Sequence, residues 1–259
     1  MHGASRPYGY SGNLGHLGLL KRMKVFAYLL VLITVGCVQL DKPQSNFANP
    51  SVTRLLSTAC AGDIENLENL YLAPDDINTV GNDGASPLLW LLMHCEGSQD
   101  ASAKLISLGA DPHLFSPLRH ASPATFAVRN LPSSYLRAML EAGMDPNHRY
   151  ENYADSPTLL FKAVMYREEE KVGGLLRYGA SLEARNASGD TPLLFIRANQ
   201  WAIGRTLLKA GANARAEDEH GHDICYRLSS ANYSPPEHGP DYKRLFVDDL
   251  QSLGIACRN

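Results

Sequence analysis

The histidines and acidic residues near the C-terminus are the first candidates for chemistry in this sequence. His220-Gly-His222 follows Asp218, and imidazole and carboxylate groups are ligands that bind zinc. Two histidines make an incomplete shell, and Asp-Glu-His-Gly is typical of a turn, so we expect no metal site here. The acidic run 168–170 is expected at the start of a helix, where carboxylates interact favourably with the helix dipole.

Motifs of the common enzyme classes are absent from the sequence. It contains no GxSxG elbow, no HExxH, no P-loop and no GxGxxG. We therefore expect no enzyme activity, no cofactor and no small-molecule substrate.

The cysteines have no CxxC or other metal-ligand spacing. In an oxidising compartment, Cys225 and Cys257 could form a disulfide that closes a loop of about 30 residues. The alternative is that these two, together with Cys60 and Cys95, are four buried thiols.

The N-terminal region predicts export. Basic residues at positions 21, 22 and 24 precede 16 uncharged residues, 25–40, a run shorter than the roughly 20 residues of a membrane-spanning helix. A basic segment, an apolar segment and a small residue are the parts of a secretory signal. Translation could begin at Met1 or at Met23.

The end of this segment, Ile33-Thr-Val-Gly-Cys37, resembles the lipobox of bacterial lipoproteins, with Thr34 where that family usually has Leu. The resemblance implies that residues 1–36 are removed, that Cys37 is lipidated and that 37–50 form a tether. It also implies a location facing the periplasm, with Val38 favouring the outer membrane. The alternative is a plain signal anchor with an incidental cysteine.

Composition and charge indicate a globular protein without affinity for nucleic acid. Of the 259 residues, 44% are hydrophobic and 20% charged, and the formal net charge is −3. Residues 1–36 hold four basic residues and no acidic one. The remainder is therefore more acidic than the whole chain, and its net charge predicts a basic partner.

An internal repeat organises the rest of the chain. Glycines at 109, 143, 179 and 211 each follow an apolar run, and their spacings are 34, 36 and 32 residues. Upstream, Ser86-Pro, Ser122-Pro, Thr158-Leu and Thr191-Pro each precede another apolar run. Ser or Thr caps a helix N-terminus, proline is tolerated at the next position, and glycine ends a helix. Each unit is therefore predicted to be a pair of helices.

A period near 33 with these signals resembles the ankyrin repeat, and Gly189-Asp-Thr-Pro-Leu-Leu194 matches its pattern best. The resemblance implies an all-α ankyrin-repeat solenoid over 51–228, with five repeats and a partial sixth, in which β-hairpin-like loops join the helix pairs. The family's TPLH histidine is replaced by Leu, Thr or Phe in every repeat. Residues 229–259 are predicted to be a loop followed by a C-terminal capping helix.

Partner contacts are implied by the positions that vary in ankyrin proteins. We expect Arg119, Arg129 and Tyr166 to contribute most, with Arg149 and Tyr150 on a neighbouring loop tip, because aromatic and Arg side chains dominate interfaces. The other positions are Asn82, Asp83, Met93, His94, Asn130, Asp155, Met165, Asp190, Asn199, His220 and His222. Each could instead be inert surface.

An anchored array of this kind resembles the bacterial ankyrin-repeat lipoproteins, some of which are immunity proteins against phospholipase effectors of type VI secretion systems. The resemblance implies a protein that is monomeric when free and that binds a lipase effector and blocks it sterically. The alternative is a periplasmic scaffold that holds an endogenous enzyme or envelope protein at the membrane.

Overall fold

The computed structural model describes residues 42–70, 76–231 and 239–257. The predicted signal 1–36, the alternative start at Met23 and the predicted lipidation site Cys37 lie outside the described residues. The helices are α1 (Pro43–Asn46), α2 (Pro50–Cys60), α3 (Ile64–Leu67), α4 (Pro87–His94), α5 (Gln99–Ser107), α6 (Pro123–Asn130), α7 (Ser133–Glu141), α8 (Leu159–Tyr166), α9 (Glu169–Arg177), α10 (Trp201–Lys209), α11 (Ile224–Ser230) and α12 (Tyr242–Ser252). A 3₁₀ turn spans Asp76–Asn78.

Helix ends follow the predicted signals. The Ser122 hydroxyl accepts a hydrogen bond from the Thr125 amide, and the Thr125 hydroxyl accepts one from the Ser122 amide, so the start of α6 is a capping box. Gly109 and Gly143 have φ of 101° and 97° beyond the ends of α5 and α7. Glycine adopts this left-handed backbone without a steric cost, so each helix ends there.

The helices stack in two rows with the apolar core between them. The first-helix row contains α2, α4, α6 and α8, and the second row contains α3, α5, α7, α9 and α10, each helix contacting its neighbours in the row. Leu89, Leu136, Leu160 and Leu175 are fully buried between the rows. This is the predicted all-α solenoid, with one isolated antiparallel bridge, Ser116 to Ala121, in the described part of the chain.

Asparagine side chains join successive units at the loops. Asn78 donates to the Gly109 carbonyl (3.0 Å) and accepts from the Asp111 amide (2.7 Å). Asn147 makes the corresponding bonds two units later, to Gly179 and Ser181. These bonds satisfy backbone groups that the helices leave unpaired, so they fix the spacing between units.

Two segments differ from the sequence-based expectation. Residues 43–49, expected in a tether, pack on the array: Phe47 is buried against Trp90, and the Asn46 amide nitrogen donates to Asp83 (2.7 Å). Residues 192–199, which overlap and follow the best ankyrin match at 189–194, form turns and irregular backbone instead of a helix. Here the Gln200 side chain accepts from the Arg197 amide and donates to the Val164 carbonyl near the end of α8, so it joins this non-helical segment to the preceding unit.

The C-terminal helix closes the array. Phe246 of α12 is fully buried and lies 5.5 Å from the Trp201 ring, while Arg205 pairs with Asp249 at 2.5 Å. A Cβ at Gly204 would lie 2.8 Å from the Phe246 ring, so the absence of a side chain there permits the close packing. None of the helices in residues 42–257 that the structure describes is long and apolar enough to cross a bilayer.

Two disulfides join distant parts of the chain. Cys225 is bonded to Cys257, the pair considered from the sequence, and links α11 to the segment after α12. Cys60 is bonded to Cys95, a pairing that the sequence analysis did not consider, and links the ends of the first helices α2 and α4.

Candidate protein-binding pocket

A concave pocket of about 230 Å³ lies between α6, α8 and the loops that precede them. We call it the Lys162 pocket. Its lining residues are Arg119, His120, Ala121, Thr125, Phe126, Arg129, Asn130, Tyr153, Lys162 and Tyr166. The lining is therefore basic and aromatic, and it includes no acidic residue.

Lys162 is the most unusual group in this pocket. It lies in the apolar helix α8, its exposed fraction is 4%, and its Nζ is 3.1 Å from the centroid of the Tyr153 ring. Burial, with a smaller contribution from the charge of Arg129, lowers its pKa to about 8. Among the described residues no carboxylate lies within ion-pair distance of its ammonium. Desolvation without a counter-charge disfavours the charged form.

The pocket's aromatic side chains are held by the cations and the backbone. The Arg129 guanidinium lies 5.5 Å from the centroid of the Tyr166 ring, and the Tyr153 hydroxyl donates to the His120 carbonyl at 2.6 Å. Burial raises the pKa of Tyr153, so this hydroxyl stays neutral at physiological pH. The two rings are thus held in place in the lining of the pocket that contains Lys162.

Arg119 is already paired. Its guanidinium donates to the Asp83 carboxylate (2.5 Å) and carbonyl (3.2 Å) in the preceding unit. Burial alone would raise the pKa of Asp83, but hydrogen bonds from the Ala85 amide, Arg119 and Asn46 hold it below its usual value. Arg129 and Lys162 are consequently the two pocket cations without a carboxylate partner among the described residues.

The predicted contact residues are divided by the fold. Arg119, Arg129, Asn130 and Tyr166 come together in the Lys162 pocket. The residues exposed outside the pocket lining are Asn82, Arg149, Asp155, Met165, Asn199 and His220, and those half-buried are Asp83, Met93, His94 and His222.

Tyr150 is not available to a partner, contrary to the prediction. Its exposed fraction is 4%, and its hydroxyl lies 2.7 Å from His113 Nδ1. His113 stacks on His148, and burial together with the charge of His148 lowers the pKa of His113 to about 4. His113 occupies the position equivalent to Asn78 and Asn147, so this aromatic cluster replaces an asparagine bridge between units.

Asp190 is likewise buried rather than exposed, which corrects its predicted contact role. Arg227 donates to Asp190 (2.6 Å) and to Asp218 (3.1 Å). Burial alone would raise the pKa of Asp218, but the amides of His222 and His220, with the His222 ring, hold it below its usual value. In residues 42–70, 76–231 and 239–257, no group of three His, Cys, Asp or Glu is placed to bind a metal ion.

Lys162, Tyr153 and Phe126 were missed by the sequence analysis. The signal for Lys162 was present: it is the one charge within Leu-Leu-Phe-Lys-Ala-Val, residues 159–164, an otherwise apolar run. Tyr153 lies in a loop, so no periodicity indicated that it would approach this lysine.

The structure is similar to solved ankyrin repeat structures. An ankyrin repeat domain from Acinetobacter baumannii AYE is 23% identical, with a TM-score of 0.58, over 78% of this chain and 97% of that one. A second ankyrin repeat protein is 19% identical, with a TM-score of 0.52, over the same shares of the two chains. No protein-family profile matches the sequence, and no curated protein matches it. The structural similarity, the two helical rows and the loop geometry together show that this chain has the ankyrin-repeat fold.

Proposed function

We propose that this chain is a protein-binding module whose contact surface is the first-helix row around the Lys162 pocket. The observation that carries the proposal is the pocket itself, where two cations without carboxylate partners lie beside fixed aromatic rings. Arg and aromatic side chains are the groups most enriched among residues that dominate binding energy. Stacked helical repeats offer such a surface without an enzyme's reactive groups, so the function is binding and not catalysis.

The site of action that we propose is the periplasm. Two disulfides support an oxidising compartment, because such bonds are rare in reducing cytosol. The N-terminal segment supports export, removal of residues 1–36 and lipidation at Cys37, with the outer membrane favoured. If so, replacing Cys37 by Ala abolishes incorporation of labelled palmitate. Retention of the label in that variant contradicts the proposal.

The finer proposal is immunity against a type VI secretion phospholipase effector. Its support is the sequence resemblance to bacterial ankyrin-repeat lipoproteins, combined with an anchor that holds the array at the membrane a lipase attacks. The array would cover the lipase's substrate entrance or the mobile elements around it. A scaffold for an endogenous envelope protein uses the same surface and anchor, and the identity of the captured partner distinguishes the two.

The test is capture of the partner by the full-length chain. A C-terminal tag is added, the protein is extracted from parent-cell membranes in detergent, and bound proteins are identified by mass spectrometry. The site variant combines Arg129→Glu with Tyr166→Ala. The matched control, Arg177→Glu with Tyr178→Ala, changes the same residue types at the end of α9 in the second row, where both are exposed.

We expect one protein in near-equal ratio from the wild type and the control, and its loss from the site variant. A lipase supports immunity, and a resident envelope protein supports the scaffold. Equal capture by the site variant contradicts the proposed surface, and capture of nothing contradicts the binding function.

A further inference from the structure

We propose that the Lys162 pocket binds the carboxylate of an Asp or Glu side chain presented by the protein partner. This inference rests on the proposed function and specifies the chemistry of its central contact. It differs from the expectation given by net charge, which predicts a basic partner for the acidic remainder of the chain. Charge at the pocket, and not over the whole surface, decides which group enters it.

Lys162 has hydrogen-bonding capacity that the described residues leave unused. Its ammonium has three donors, and within the described part of the chain no oxygen accepts a hydrogen bond from it; its one contact is the face of the Tyr153 ring. The side chain is more than nine-tenths buried and its Nζ faces the pocket. A largely desolvated cation without a protein acceptor is disfavoured, and a ligand that supplies an acceptor offsets part of that cost on binding.

The charges around the pocket leave Lys162 and Arg129 without a counter-charge from the neighbouring elements. Arg129 adds a second positive charge, while the nearby carboxylates are occupied: Asp83 pairs with Arg119, and Glu168 at the start of α9 pairs with Lys171 at 3.2 Å. Lys171 in turn donates to the Val128 carbonyl at 2.6 Å, so this pair is fixed between α6 and α9. The counter-charge for Lys162 and Arg129 therefore has to come from outside these elements.

The size and lining of the Lys162 pocket suit one acidic side chain. About 230 Å³ is below the ~300–1,000 Å³ of pockets that hold drug-sized ligands, and it suits a single side chain. The rings of Tyr153, Tyr166 and Phe126 offer apolar walls to a methylene stem, and the two cations offer charge-assisted hydrogen bonds to the group at its tip. An Asp or Glu side chain has both parts. Phosphate lacks the stem, and the lining contains no glycine-rich turn whose backbone amides could surround it.

The experiment follows the Lys162 ammonium by NMR in the full-length chain. Lysine is labelled with ¹³C at Cε, the protein is held in an uncharged maltoside detergent, and the Lys162→Met variant assigns the resonance. The probe is N-acetyl-glutamate amide. N-acetyl-glutamine amide is the matched neutral probe, and inorganic phosphate tests the alternative anion. Lys209, which is exposed on α10, serves as the internal control.

We expect a saturable shift of the Lys162 resonance with the glutamyl probe, an apparent affinity at least tenfold weaker for the glutaminyl probe, and no saturable shift of Lys209. The glutamyl probe should also raise the pKa of Lys162 by ~1 unit or more, as an opposite charge nearby does. Replacing Arg129 by Gln should weaken binding of the glutamyl probe and leave the apparent affinity of the glutaminyl probe unchanged. Equal response to both probes, or tighter binding of phosphate, overturns the inference.

The probe titration and the partner capture test the carboxylate inference and the proposed function separately. If a partner is captured and lost on changing the pocket, but the probe produces no saturable shift, the carboxylate inference is wrong and the binding function stands. If the probe binds with the expected selectivity and no partner is captured, the pocket chemistry stands and the proposed function fails.

Discussion

Replacing Lys162 by Met should stabilise the protein at neutral pH. Methionine has a similar length and packs against Tyr153, but it carries no charge into the buried position. In the wild type the lysine pKa falls from 10.5 in the unfolded chain to about 8 in the folded protein. Below pH 8 both states are protonated, and the folded state bears the full cost of the desolvated charge.

The size of the effect follows from this pKa difference. At about 1.4 kcal/mol per pKa unit, the cost is about 3 kcal/mol at pH 7. The cation–π contact with Tyr153, which Met lacks, offsets about 1 kcal/mol, so the variant should be more stable by about 2 kcal/mol. Between pH 8 and 10.5 the unfolded chain binds more protons, and wild-type stability rises with pH. At pH 9.5 about 2 kcal/mol of the cost is gone, and the neutral lysine no longer makes the cation–π contact, so the variant should be more stable by only about 1 kcal/mol.

Urea unfolding of the oxidised full-length chain, followed by circular dichroism at pH 7 and pH 9.5, measures both values. Lys209→Met is the control, because an exposed lysine should leave the free energy of unfolding nearly unchanged at either pH. A Lys162→Met variant that is less stable than wild type at pH 7 refutes the reasoning. A stability difference that is the same at both pH values refutes it equally.

Three further perturbations test the fold. Arg227→Gln leaves Asp190 and Asp218 buried without their guanidinium, and should lower the free energy of unfolding by about 2 kcal/mol at pH 7. Reduction of the two disulfides should cost about 4 kcal/mol each, as expected for loops of 32 and 35 residues, and is measured as the shift of the urea midpoint with reductant. Gly204→Ala places a Cβ against Phe246 and should cost roughly 1–3 kcal/mol, with faster proteolysis after α10. An unchanged midpoint in any of these measurements contradicts the corresponding contact.

Local signals made the helical pairs predictable. The Ser-Pro starts of α4 and α6 and the glycines after α5, α7 and α9 act over a few residues, so the sequence alone locates them. The region 192–199 shows the limit of this reasoning. Its Thr-Pro start is intact, yet Gln200 pairs with the backbone of the preceding unit, a contact 36 residues away that no local pattern encodes.

The candidate site was only partly predictable for the same reason. The contact positions of ankyrin proteins predicted four lining residues of the Lys162 pocket, because the repeat register fixes those positions. The buried charge of Lys162 and the ring of Tyr153 are specific to this chain and meet only when the loop before α8 packs against that helix. Tyr150 and Asp190 are buried by packing between units, and the local turn sequence around each residue does not encode that packing.

Photocrosslinking in the parent cell tests the central claim most directly. The photoreactive residue benzoylphenylalanine replaces Met165, exposed on α8 beside the Lys162 pocket, or Tyr178, exposed in the second row. If the partner binds through the first-helix row, position 165 should give one heavier adduct that contains a second protein, and position 178 should give none. Adducts from position 178 alone, or from neither position, would contradict binding through the first-helix row.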